Sequence, residues 1–181
     1  MKKLQQLWQM AEDMDIFVTF HALSNRCHGL FGLYIPKYPA IALDDSLEHN
    51  IREQKCVFAE EIGHALTAPR TDIRRVHRCY RRLGECNETI IMAQDERKAL
   101  AWAADFLIPD VELCQALSEG VRSCYELSEY FGVSEWMVHT KIGCLRTCFR
   151  RQGLKVKGKE IFNMQMGEID GLNCNKYISE S

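Results

Sequence analysis

The chain has 181 residues, enough to bury a core without disulfide or metal staples, and its length suggests one domain with an appendage. Its 46% hydrophobic and 27% charged residues are ordinary for a globular protein, and 23 basic against 25 acidic side chains, a net of −2, exclude a polybasic, histone-like chain. No apolar run approaches the ~18 residues that cross a bilayer. MKKLQQLWQMAEDMD lacks the apolar core of a secretory signal, so the mature chain is expected to start near residue 1, in the cytoplasm and without membrane contact.

In chain order, residues 2–14 read as a helix with Leu4, Leu7, Trp8 and Ala11 on one face. IFVTFHAL (16–23), LFGLYI (30–35) and AIAL (40–43) read as three strands, the last two joined by a turn at Pro36-Lys37-Tyr38-Pro39. Asp45-Ser46-Leu47-Glu48 offers a cap for a helix running to about Leu66, with Leu47, Ile51, Phe58, Ile62 and Ala65 as its apolar stripe and Thr67-Ala68-Pro69 as its stop. Residues 70–93 are less regular. A further helix spans 94–107 up to Pro109, a short one spans 111–120, and 126–149 reads as helix, turn at Gly132, cap at Ser134, helix. The tail from 151 is polar and its end is expected to be disordered. The expected fold is therefore α+β and mostly helical, with a domain over 1–150 and a tail over 151–181.

Nine cysteines without a CxxC pair, in a chain with no signal, are expected to be reduced and mostly buried.

The chemistry concentrates in CVFAEEIGHAL (56–66). Glu60 and His64 are spaced i, i+4, about 40° apart on a helix, so both side chains reach one ion. Glutamates and a histidine on a helix ordinarily mark a solvated face. Here Val57, Phe58, Ile62, Ala65 and Leu66 surround them, and ionisable groups among apolar neighbours need a partner. In DERKALAWAADFLIP (95–109), Ala99, Leu100, Ala103, Phe106 and Leu107 form an apolar stripe, and Glu96 lies at its N-terminal end, pointing inward. A cation shared between Glu60, His64 and Glu96 resolves both anomalies, and three protein ligands with an open fourth position is the layout of a catalytic zinc site. Cys56, one turn before Glu60, is a weaker alternative ligand, because thiolates ordinarily mark structural zinc.

These stretches resemble the ImmA/IrrE family of metallopeptidases. The family's H-E-x-G-H corresponds to EEIGH (60–64), and its E-x-x-A-N-x-F-A-x-x-L-L-x-P to ERKALAWAADFLIP (96–109). GLYIPKYPAIALDDSL (32–47) resembles the sheet leading into the active-site helix, and ELSEYFGVSEWMVHTKI (126–142) the helical pair after it. The resemblance implies a zincin-like domain with the sheet packed on the active-site helix. It implies Glu61 as general base, with His64 and Glu96 as metal ligands. Glu60 stands where most members carry histidine, and a phage- and mobile-element-associated branch carries glutamate there. Zinc is the implied metal, and the oxygen-rich donor set also admits manganese or iron. The implied activity is cleavage of a helix-turn-helix repressor, releasing transcription. A catalytically silent repressor-binding scaffold, or a DNA-binding regulator, are the alternatives.

RTDIRRVHRCYRR (70–82) carries six arginines and one aspartate, read as a solvated segment or as a patch for an anionic partner. His77 and Tyr80 are candidates to stabilise an oxyanion. The pair over 126–142 resembles a helix-turn-helix, but its second helix offers Trp136, Met137, Val138 and Ile142 where basic groups are needed, so direct nucleic-acid binding is not expected. His21, His28, His49 and His139 lack paired spacing and are read as surface or hydrogen-bonded residues.

Overall fold

The computed structural model describes residues 2–25, 29–67 and 86–151. The chain divides into two compact units, Met1–Leu107 and Ile108–Ser181.

The first unit opens with α1 (Lys2–Asp13), which buries Leu7 and Ala11 and sets Trp8 edge-to-face on Phe58, with centroids 4.9 Å apart. Asp15, at φ 53°, turns the chain out of the helix in the left-handed region that aspartate tolerates. Strand β1 (Phe17–His21) comes next. Strands β2 (Gly32–Ile35) and β3 (Ala40–Asp44) form an antiparallel hairpin, with Gly32 opposite Leu43 and Tyr34 opposite Ile41. The turn falls over residues 36–39, as its prolines require. β1 joins the far side of β3 in parallel, Phe17 opposite Ala40, giving the order β1-β3-β2. The three expected strands exist, each close to its expected place.

Asp44 ties the sheet to the next helical turn. Its carboxylate accepts the backbone N–H of Ser24 at 2.7 Å, the backbone N–H of Ser46 at 3.1 Å and the Ser46 hydroxyl, and the side chain is buried. These donors hold it far below the usual carboxylate range, the Ser24 N–H most strongly. Asp44 thereby caps a 3-10 turn, Asp45–His49. The cap is one residue earlier than the sequence suggests, and the long helix starts only after Asn50, whose Oδ1 accepts the Glu53 N–H at 3.2 Å. Asp44→Ala leaves two backbone donors without their partner and is expected to cost about 2–4 kcal/mol, read as a lower denaturant midpoint at unchanged slope. Because the folded-state pKa is depressed, the stability Asp44 contributes is present above its ordinary value of 3.8 and is lost as the pH falls below it.

Helix α2 (Ile51–Thr67) runs through the centre of the unit and is buried nearly all round from Gln54 to Gly63. The stripe read from the sequence is therefore too narrow. Phe58 and Ile62 are fully buried, each worth about 1.5–3 kcal/mol, but Cys56, Val57 and Ala59 are buried as well. Ile51 departs from the stripe and is 52% exposed, because the 3-10 turn before it places it at the helix start. Helix α3 (Cys86–Leu107) begins eight residues before its expected start. Ala99, Ala103, Ala104 and Leu107 form its buried stripe, with Leu100 only half-buried. Trp102 stacks on Phe106, and the Lys3 ammonium sits 4.7 Å above the Phe106 ring.

The second unit holds α4 (Asp110–Ser118), α5 (Cys124–Phe131) and α6 (Glu135–Arg151). A reciprocal capping box between Ser123 and Glu126 starts α5, and Gly132, at φ 60°, ends it. Met137, Val138 and Ile142 are buried with Leu127 and Val133, so they face the unit's core rather than a groove of nucleic acid. The Lys141 ammonium is buried and paired with Asp110. His139 is exposed, with its Nδ1 3.6 Å from the Cys124 Sγ, and His21 and His49 are exposed.

None of the five cysteines with described side chains forms a disulfide. Only Cys56 is buried, whereas Cys114, Cys124 and Cys144 are half-buried and Cys148 is exposed. The expectation of mostly buried thiols fails for these because four of them lie on the small second unit. The basic stretch over 70–82, with His77 and Tyr80, lies outside the described residues, as do His28 and the tail from 152.

Candidate active site

Glycine within a helix costs about 1 kcal/mol relative to alanine. Gly63 is tolerated in α2 because α3 passes it at close quarters, where a Cβ would stand 2.5 Å from the Ala99 carbonyl oxygen. That approach fixes the geometry of the site. His64 is the next residue after Gly63, and Glu96 lies one turn before Ala99, so the two side chains meet across the helix pair. His64 Nε2 is 3.4 Å from Glu96 Oε2. Glu60, one turn before His64, shares a hydrogen bond with Glu96. Donor atoms of Glu60, His64 and Glu96 all lie within 4.8 Å of one another, the metal-capable group among the described residues. Cys56 is buried and is not part of that group.

The predicted ligands thus come together, with one correction. Glu96 does not point inward. Its side chain is 52% exposed, at the rim, and turns over His64 rather than into the core. The water-accessible side of the cluster is accordingly on the α3 side.

Burial pushes the Glu60 carboxyl well up, and the neighbouring carboxyls of Glu96 and Glu61 push it further. Glu96 is drawn down, first by its hydrogen bond to His64, so Glu60 holds a proton more readily than Glu96 does. Burial lowers His64, but the hydrogen bond to Glu96 and the charge of Glu61 outweigh it and leave the imidazole raised. Two carboxyls and an imidazole crowded in this way fit a divalent cation, which substitutes for the protons the cluster otherwise retains. Binding must then release those protons. Zinc affinity is expected to rise from pH 6 to pH 8, about tenfold per unit for each proton released, and to fall on acidification. Titration calorimetry in buffers of different ionisation enthalpy reads the proton count directly, and a pH-independent affinity contradicts this.

Glu61 is set apart from the ligands. It is 7% exposed, on the sheet side of α2, and its carboxylate accepts the backbone N–H of Tyr34 in β2. Burial raises it to about 7, against the lowering effects of His64 and the Tyr34 N–H. A carboxyl poised there takes and returns a proton at neutral pH. The Tyr34 contact is invisible to sequence reasoning, because a backbone donor leaves no residue-type signature.

The peptidase M78 family model, described as the IrrE N-terminal-like domain, matches residues 11–142. The chain belongs to this family. The match covers β1 to β3, α2 and α3 together with α4, α5 and the start of α6. No curated protein and no solved structure matches the chain. Membership in a metallopeptidase family supports a metal-dependent, protease-like function and a metal at the Glu60–His64–Glu96 group. Among the described residues, no helix is long and apolar enough to cross a membrane.

Proposed function

We propose that this IrrE-like chain is a zinc-dependent endopeptidase that acts in the cytoplasm on a helix-turn-helix repressor of a phage or mobile element and so relieves repression. The observation that carries the reading is the buried Glu61 carboxyl, next in the chain to Glu60, on the helix that supplies two of the three converging side chains. Glu60, His64 and Glu96 would hold the ion. When bound, a divalent cation supplies Lewis-acid polarisation of a carbonyl and makes a water molecule more acidic. Glu61 accepts a proton at its carboxylate from the attacking water and returns it to the departing amide nitrogen. The Tyr34 N–H holds that carboxylate in place while it is charged. Glu60 in place of a histidine makes the donor set more anionic, which weakens the Lewis acidity of the site and admits manganese or iron beside zinc.

The test incubates the purified chain, loaded with zinc, with a repressor encoded beside its gene. Fragments that disappear with a chelator and return with zinc support the reading. A stable complex with the intact repressor, unaffected by chelator, identifies a silent scaffold instead. Duplex DNA binding that weakens with salt identifies a regulator.

A further inference from the structure

Strand β2 carries an isolated glycine between bulky neighbours, Phe31-Gly32-Leu33-Tyr34. Such a glycine often marks a close approach of another group to the backbone. Here the approaching group is the Glu61 side chain. A Cβ at Gly32 would stand 2.5 Å from Glu61 Oε1 and 2.9 Å from its Cγ, with Val57 Cγ1 at 2.6 Å. Oxygen at 2.5 Å from an sp³ carbon is well inside contact distance, so the space left by the missing side chain is the space the carboxylate occupies. Two residues along the same strand, the Tyr34 N–H donates to that carboxylate. Gly32 and Tyr34 lie opposite Leu43 and Ile41 of β3, both fully buried, so the strand that carries this seat is itself anchored.

We infer that Gly32 is a positioning residue for Glu61: its missing Cβ leaves the seat for the carboxylate, and the Tyr34 N–H aims it. The inference rests on the reading of Glu61 as general base, but the seat is observable without substrate. A base displaced by about 1 Å loses on the order of 10²-fold in rate, because proton transfer requires hydrogen-bond reach.

The experiment uses the full chain labelled with ¹⁵N-tyrosine, which gives six backbone signals, with Tyr34 assigned by Tyr34→Phe. Glu61→Ala is expected to move the Tyr34 amide proton upfield, because it removes the acceptor. Gly32→Ala is expected to do the same, and adding Gly32→Ala to a Glu61→Ala/Val57→Ala chain, where both overlaps are gone, is expected to cause no further shift. Gly32→Ala/Val57→Ala relieves the second overlap, so a folded variant is obtained with only the Glu61 clash. Each glycine variant should retain one zinc per chain and cleave the repressor about 10²-fold more slowly, with kcat affected rather than KM. A Tyr34 amide that ignores Glu61→Ala, or a folded glycine variant with wild-type Tyr34 amide and cleavage rate, overturns the inference. A Glu61→Gln chain that still cleaves overturns the base assignment alone, and leaves the Tyr34 readout to decide the seat.

Discussion

Replacing Glu61 with glutamine is expected to lower the cleavage rate by roughly 10²–10⁴-fold, the usual contribution of a positioned general base. The amide has nearly the same size as the carboxylate and still accepts the Tyr34 N–H, so the seat stays filled. What is lost is the capacity to take a proton. Glu60, His64 and Glu96 are untouched, so zinc content should remain at one per chain. Folding should be retained or slightly improved, since a buried carboxyl raised to about 7 carries a charge at higher pH that burial disfavours. Cleavage at the wild-type rate by Glu61→Gln would assign proton transfer to another group.

Replacing His64 with alanine is expected to abolish zinc binding at micromolar metal. His64 is the one imidazole in the ligand group, and it also holds Glu96 over the site through the 3.4 Å contact. Its loss removes a ligand and releases a second. The affinity loss should therefore exceed the roughly 10–100-fold typical of residues that only orient a ligand. The effect on stability should be moderate by comparison, because the ring is 16% exposed and its partner Glu96 is at the exposed rim. Equilibrium dialysis with zinc, run beside thermal unfolding, separates the two effects. Wild-type zinc uptake by His64→Ala would remove His64 from the ligand set.

The parts of this molecule legible in the sequence are those set by local spacing. Glu60 and His64 meet because i and i+4 always meet on a helix, and the surrounding apolar residues mark that face as partly withdrawn from water, with both side chains half-buried. Glu96 is legible as a ligand through its place at the end of an alanine stripe, but its exposure is not. Ala99 packs its backbone close against Gly63, and Glu96 lies one turn before it, at the exposed rim. Features that depend on distant pairing leave no local signal. The parallel pairing of β1 with β3 joins residues separated by the whole of β2. Asp44 reads as one of two adjacent aspartates, and only the arrival of Ser24 makes it the cap. Gly32 reads as a weak point of a strand until Glu61 is placed against it. The extra turns at the start of α3 come after a stretch of irregular sequence in which no start signal stands out.

The most direct measurement is the metal content of the full chain, purified without chelator and dialysed against zinc near neutral pH. One zinc per wild-type chain is predicted, with uptake lost in Glu96→Ala, because Glu96 is the ligand supplied by α3 and its exposed position makes its removal harmless to folding. A wild-type chain that takes up no zinc, manganese or iron contradicts the metal site, as does a Glu96→Ala chain that binds zinc as tightly as wild type.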